Sequence, residues 1–130
     1  MKNEQIGDLA WIDLTVANAA EVKDFYQQVV GWQPEAVDMG EYNDYSMNHA
    51  QSNEPVTGIC HARGVNADLP ATWLPYFLVA DIDQAAQQVV AQGGELLTEI
   101  KSMGGEDRYV VIKDPAGAAC ALYYKKQADK

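Results

Sequence analysis

A chain of 130 residues is long enough for one domain with a real core, and 48% apolar content is ordinary for a globular protein. Its net charge of −10, with 9 scattered Lys and Arg against 19 Asp and Glu, opposes binding to phosphate backbones, so no nucleic-acid partner is expected. No apolar run approaches the roughly 20 residues that cross a bilayer, and the polar start Met1-Lys2-Asn3-Glu4-Gln5 lacks a signal-peptide core, so a cytoplasmic protein without a membrane partner is expected.

In chain order, residues 9–17 alternate as a strand with two different faces, Ile12, Leu14 and Val16 on one and Trp11, Asp13 and Thr15 on the other. Asn18 is placed to cap a helix, with Glu21 three residues on to complete a capping box. Val22, Phe25, Tyr26, Val29 and Val30 follow helical spacing and are expected to be core, and Gly31 stops the helix. Three strands are expected at 32–37, 42–48 and 56–62, the first limited by Pro34. Residues 63–71 read as a short connector.

The second half repeats the plan. Residues 73–79 form a strand, Asp81 caps with Gln84 three residues later, and Ile82, Ala85, Ala86, Val89 and Val90 make a helical stripe ended by Gly93-Gly94. Strands follow at 95–100, 108–113 and 118–124. They are separated by the Gly-rich loop Ser102-Met103-Gly104-Gly105-Glu106-Asp107 and the turn Asp114-Pro115-Ala116-Gly117. Gly104-Gly105 is followed by neither Lys-Ser/Thr nor a helix, so it reads as a hairpin loop and not as a phosphate loop. A polar, frayed tail is expected after Tyr124.

The two halves are duplicates. An ungapped shift of 63 residues places Val16 on Val79, Ala17 on Ala80, Asn18 on Asp81 and Gly31 on Gly94. The expected class is α+β: one domain of two tandem βαβββ modules, 8–62 and 72–124, joined by 63–71. Pairing the modules, within the chain or across a dimer, would cover open sheet edges.

Leu14-Thr15-Val16-Ala17-Asn18, Phe25-Tyr26, Gly31-Trp32, Val79-Ala80-Asp81-Ile82, Gly93-Gly94 and Asp114-Pro115-Ala116-Gly117 together resemble the vicinal oxygen chelate superfamily. That superfamily contains glyoxalase I, bleomycin-resistance proteins and dioxygenases. The resemblance covers about residues 8–124 and is strongest to the branch related to lactoylglutathione lyase. It implies a curved mixed sheet around a cavity and, in family enzymes, a divalent metal held by His, Gln or Glu from the first and fourth strands of each module. It also implies a homodimer as an assembly to test.

Carried over residue by residue, the first-strand ligand positions are Trp11 and Leu74, and the last-strand position of the second module is Ala121. The remaining position falls within Gly58-Ile59-Cys60-His61, its register open. Trp, Leu and Ala cannot donate to a cation, and a catalytic metal needs about three protein ligands. No cofactor is therefore expected, a divalent metal least of all.

If Trp11, Asp13 and Thr15 face the cavity, alternation adds Leu74, Tyr76 and Leu78, and then Ala119, Ala121 and Tyr123. This describes an apolar, aromatic pocket with a few polar handles, suited to a small apolar or aromatic ligand. Asp13 in such a pocket would have a raised pKa and is the candidate catalytic acid or base; the alternative is a solvated or Arg-paired carboxylate. His61 is a candidate binding residue or a rim residue, and His49 sits in an expected loop. Arg63 and Arg108 could orient a carboxylate or phosphate, or be ordinary solvated cations. Cys60 and Cys120 lie in no CxxC and read as small buried residues.

Three functions remain open. The first is a metal-independent small-molecule-binding protein. The second is a glyoxalase-like lyase, isomerase or dioxygenase-related enzyme with a displaced metal site or Asp13 as its base. The third is a non-catalytic partner of a larger enzyme.

Overall fold

The computed structural model describes residues 4–126, so the expectations for Met1–Asn3 and for most of the polar tail lie outside the described residues. The chain divides into two compact units, one spanning Ile12–Trp73 and the other spanning Leu74–Lys130 together with Met1–Trp11. The α+β class expected from the sequence holds.

The Ile12–Trp73 unit contains most of β1 (Leu9–Val16), then α1 (Ala19–Val30), β2 (Gln33–Asp38), β3 (Asn43–Asn48) and β4 (Pro55–His61). The strands run β2-β3-β4-β1 across the sheet. β1 pairs with β4 in parallel, Asp13 opposite Gly58 and Thr15 opposite Cys60, whereas β2–β3 and β3–β4 are antiparallel. Pro34 lies in β2 at the end of this order, where a missing backbone donor is tolerated. The core under α1 is Leu14, Ala19, Met47 and Ile59, packed against Val16, Val22, Tyr26 and others. Burying each large apolar side chain contributes about 1.5–3 kcal/mol. The Thr57 hydroxyl donates to the Ile12 carbonyl and ties β4 to β1.

Two helix expectations fail in this unit. Asn18 makes no side-chain cap bond; at ψ 51° it is not extended, and its amide donates to the Glu21 carboxylate at 3.1 Å instead. Phe25, Val29 and Val30 are 56%, 62% and 50% exposed and so are not core. At about 100° per residue, the buried arc through Ala19 and Tyr26 is turned roughly 60° from the centre of the apolar stripe. Tyr26 decides that rotation: its ring meets Trp32 and Trp73, and its hydroxyl accepts from Trp73 Nε1 at 3.2 Å. Gly31 ends the helix as expected, with φ 93° and its N–H on the Gln27 carbonyl.

A 3₁₀ turn at Gly64–Asn66 occupies the connector. The other unit contains β5 (Trp73–Leu78), α2 (Ile82–Ala91), β6 (Glu95–Leu96), β7 (Lys101–Ser102), β8 (Arg108–Lys113) and β9 (Ala119–Tyr124). Its order is β5-β9-β8-β6, with β7 also on β8. β5 pairs with β9 in parallel, Tyr76 opposite Ala121 and Leu78 opposite Tyr123. Residues 7 and 8 bond to Leu78 at 2.8 and 2.9 Å. Asp81 caps α2 as expected, accepting from Gln84 N–H at 3.0 Å. Ile82, Val110 and Ile112 form the core beneath α2, while Val90, expected in the stripe, is 59% exposed.

The strand expected at 95–100 is broken. The Thr98 hydroxyl accepts the Val111 N–H at 3.1 Å and donates to the Glu99 carbonyl, so a side chain interrupts the backbone ladder. Lys101–Ser102 then re-pairs with Tyr109 and Arg108, and Gly104 and Gly105 turn the hairpin at φ 108° and 56°. The Asp114 carboxylate accepts from the Ala116 and Ala118 N–H groups and closes the last turn.

Candidate functional site

Strand pairing settles which residues share a face. Leu14 and Ile59, paired across β1 and β4, lie in the core under α1, so Asp13, Thr15, Gly58 and Cys60 lie on the opposite face. Thr15 is buried and Asp13 half-buried. The Cys60 thiol is pushed up to about 12, first by burial and then by the charges of Asp13 and Asp44 and a hydrogen bond with Asp44. Cys60 therefore stays protonated and is no nucleophile at neutral pH.

In the other unit Val110, Ile112, Cys120 and Leu122 face α2. Leu74, Tyr76, Leu78, Ala121 and Tyr123 occupy the opposite face, and Leu74 and Ala121 are wholly buried. β8 adds Tyr109, whose ring centroid lies 6.0 Å from that of Tyr76. Lys101 Nζ sits 5.6 Å from the Tyr109 centroid, and burial lowers its pKa. The Tyr123 hydroxyl donates to Asp107 at 3.3 Å; burial and that carboxylate raise its pKa. Trp11 is half-buried in the same unit. Ala119 is half-buried beside Lys113.

The parallel pairings also fix the register left open by the sequence. Asp13 with Gly58 and Tyr76 with Ala121 span the same 45 residues, so the 63-residue duplication holds across the strand pairing. Gly58, and neither Ile59, Cys60 nor His61, is the counterpart of Ala121. The four positions that the resemblance assigns to metal ligands are thus Trp11, Gly58, Leu74 and Ala121, and none offers a lone pair. Among the described residues no group of three His, Cys, Asp or Glu is arranged to hold a metal. These residues do not fit the family's metal.

Two sequence candidates lie elsewhere. His61 pairs with Val16 on the α1 side, between the rings of Tyr42 and Tyr45 at 5.5 and 6.2 Å. Its backbone N–H donates to Asp44 at 2.8 Å, and Nδ1 lies 3.5 Å from the same oxygen. Arg63 joins this cluster, stacked 4.1 Å from the Tyr42 centroid and 3.8 Å from Glu41. Arg108 pairs with Tyr124, which packs against the core beneath α2, so it does not share a face with Tyr76 and Ala121. His49 lines a groove at the end of α1 with Trp32 and Glu54. Sequence reading missed Asp44 and Tyr109. Asp44 was legible only as part of the strand expected at 42–48, and Tyr109 joins the face through the β8–β9 register alone.

The chain belongs to the Glyoxalase/Bleomycin resistance protein/Dioxygenase superfamily, whose family model matches residues 8–122. It is 30% identical over 118 residues to the Mycobacterium tuberculosis protein named "Putative glyoxylase CFP32", covering 87% of this chain and 44% of that one. It is likewise 30% identical over 130 residues to the anthracycline biosynthesis protein DnrV of Streptomyces peucetius, covering 92% and 47%. The chain spans about half the length of these relatives. Among solved structures, a superfamily member from Vibrio splendidus matches with TM-score 0.56 at 15% identity, covering 88% of this chain and 97% of that one. Methylmalonyl-CoA epimerase from Mycobacterium tuberculosis matches with TM-score 0.54 at 16% identity, covering 98% and 94%. These likenesses establish the glyoxalase/bleomycin-resistance fold. No helix among the described residues is long and apolar enough to cross a membrane.

Proposed function

We propose that this chain is a small-molecule-binding member of its superfamily that works without the family's metal. The observation that carries the reading is the matched strand register, which puts Gly58 opposite Asp13 as Ala121 is opposite Tyr76. The face of Tyr76, Tyr109 and Tyr123, floored by the buried Leu74 and Ala121, supplies apolar and aromatic contact for a flat ligand, with Trp11 of the same unit as a further candidate. Purified protein should contain no stoichiometric nickel, zinc, iron or manganese. A panel of flat aromatic ligands should raise its melting temperature and quench the part of its fluorescence that Trp11→Phe removes. Bound metal at one equivalent, or no response across a broad panel, would overturn the reading.

A second reading is an acid–base enzyme, a lyase or isomerase, with Asp13 as the proton-transfer group. It is favoured by the position of Asp13 on a half-buried face, close enough to Cys60 for its charge to act on the thiol. The names of the mycobacterial and Streptomyces relatives are compatible with a catalytic or biosynthetic role. Asp13→Asn should abolish turnover of any substrate found while leaving its binding intact; unchanged turnover would remove this reading. A homodimer is proposed because the resemblance to the superfamily implies one. Light scattering distinguishes monomer from dimer.

A further inference from the structure

Arg108 lies in a cleft of about 500 Å³, lined also by Ala80, Asp81, Ile82, Glu106 and Tyr124. That volume is in the range of small-molecule sites, roughly 300–1,000 Å³. The cleft is separate from the Tyr76–Ala121 face, since Tyr124 and Ile82 belong to the core beneath α2. Its charge pattern is mixed. The Arg108 guanidinium pairs with Asp83 Oδ2 at 3.3 Å, and both side chains are substantially exposed. An exposed ion pair of this kind contributes little and is readily exchanged for a ligand carboxylate, which the planar guanidinium can receive through two N–H groups. Glu106 forms an exposed ion pair with Lys126, at 3.2 Å. One Asp81 oxygen is committed to capping α2, and its charge remains at the cleft wall.

We propose that this cleft binds a free amino acid with an aromatic or branched side chain. A purely anionic ligand would meet Asp81, Asp83 and Glu106. A purely cationic one would meet Arg108. A neutral apolar ligand would desolvate both sets of charges without pairing them. A zwitterion pairs both: its carboxylate on Arg108, its ammonium toward Glu106 and Asp81, and its side chain over Ala80 and the Tyr124 ring. This site does not depend on the metal-free reading, because none of its residues is shared with the proposed sheet-face site.

The test is calorimetric titration of the full chain with L-phenylalanine, 3-phenylpropanoate and phenethylamine, which carry both charges, the carboxylate alone and the amine alone. L-Phenylalanine should bind saturably, and each single-charge probe should bind at least about tenfold more weakly. Arg108→Gln should weaken L-phenylalanine and 3-phenylpropanoate about tenfold and spare phenethylamine. Glu106→Gln should do the reverse. Asp83→Asn, which releases Arg108 from its internal partner, should tighten L-phenylalanine several-fold. All three substitutions are at exposed side chains, and unchanged melting curves verify the fold. Absence of saturable binding, equal binding of the three probes, or Arg108→Gln binding L-phenylalanine as tightly as the wild type would overturn the proposal.

Discussion

The Cys60 thiol is half-buried beside two carboxylates, and its pKa rises from 9.0 to about 12. Below pH 9 the thiol is protonated in both folded and unfolded chains, so its contribution to stability is constant. Between pH 9 and 12 the unfolded chain releases the proton while the folded chain retains it, so stability falls as pH rises, by up to about 1.4 kcal/mol per pH unit. Urea melts of wild type and Cys60→Ala at pH 8 and pH 10 should show the loss in the wild type and a smaller one in the variant. Gly94 is constrained by space. A Cβ there would lie 2.6 Å from the Lys113 carbonyl oxygen and 3.1 Å from that of Val89. Backbone cannot swing aside as a side chain can, so Gly94→Ala should cost about 1–3 kcal/mol in a denaturant melt.

At the scale of elements, the two helices start with similar sequences and different chemistry. Asp81 accepts a backbone N–H of α2, whereas Asn18 gives its amide to Glu21 and caps nothing. Asp81→Ala should therefore lower stability by about 1 kcal/mol, and Asn18→Ala by clearly less, measured side by side in urea. The exposed Phe25 and Val29 of α1 leave an apolar strip that the helical pattern alone would have put inside.

For the whole molecule, the duplicated register is the feature from which function is argued. Ala121 is fully buried, and its sheet neighbours are Tyr76 and Val111. Ala121→Glu, which would place the family's carboxylate there, should bury an unpaired charge and cost about 3 kcal/mol or more. Thermal melts with and without added zinc or nickel test this. A variant as stable as wild type, or one rescued by metal, would contradict the metal-free reading.

The sequence by itself determined the α+β class and the order of its main elements. Period-two and helical patterns, the glycines after each helix and the 63-residue shift are local signals, because they express backbone geometry and side-chain alternation. It also identified Trp11, Leu74 and Ala121 as residues without donor atoms. Tertiary structure decided what depends on partners distant in the chain. The β1–β4 register selected Gly58 over His61, the Trp73 contact of Tyr26 set the rotation of α1, and the Thr98 hydroxyl broke a strand whose composition reads as continuous. Arg108 and Tyr76, both candidates from sequence, fell on opposite faces. Strand alternation assigns faces only within one strand, and hydrogen-bonded pairing relates one strand to the next.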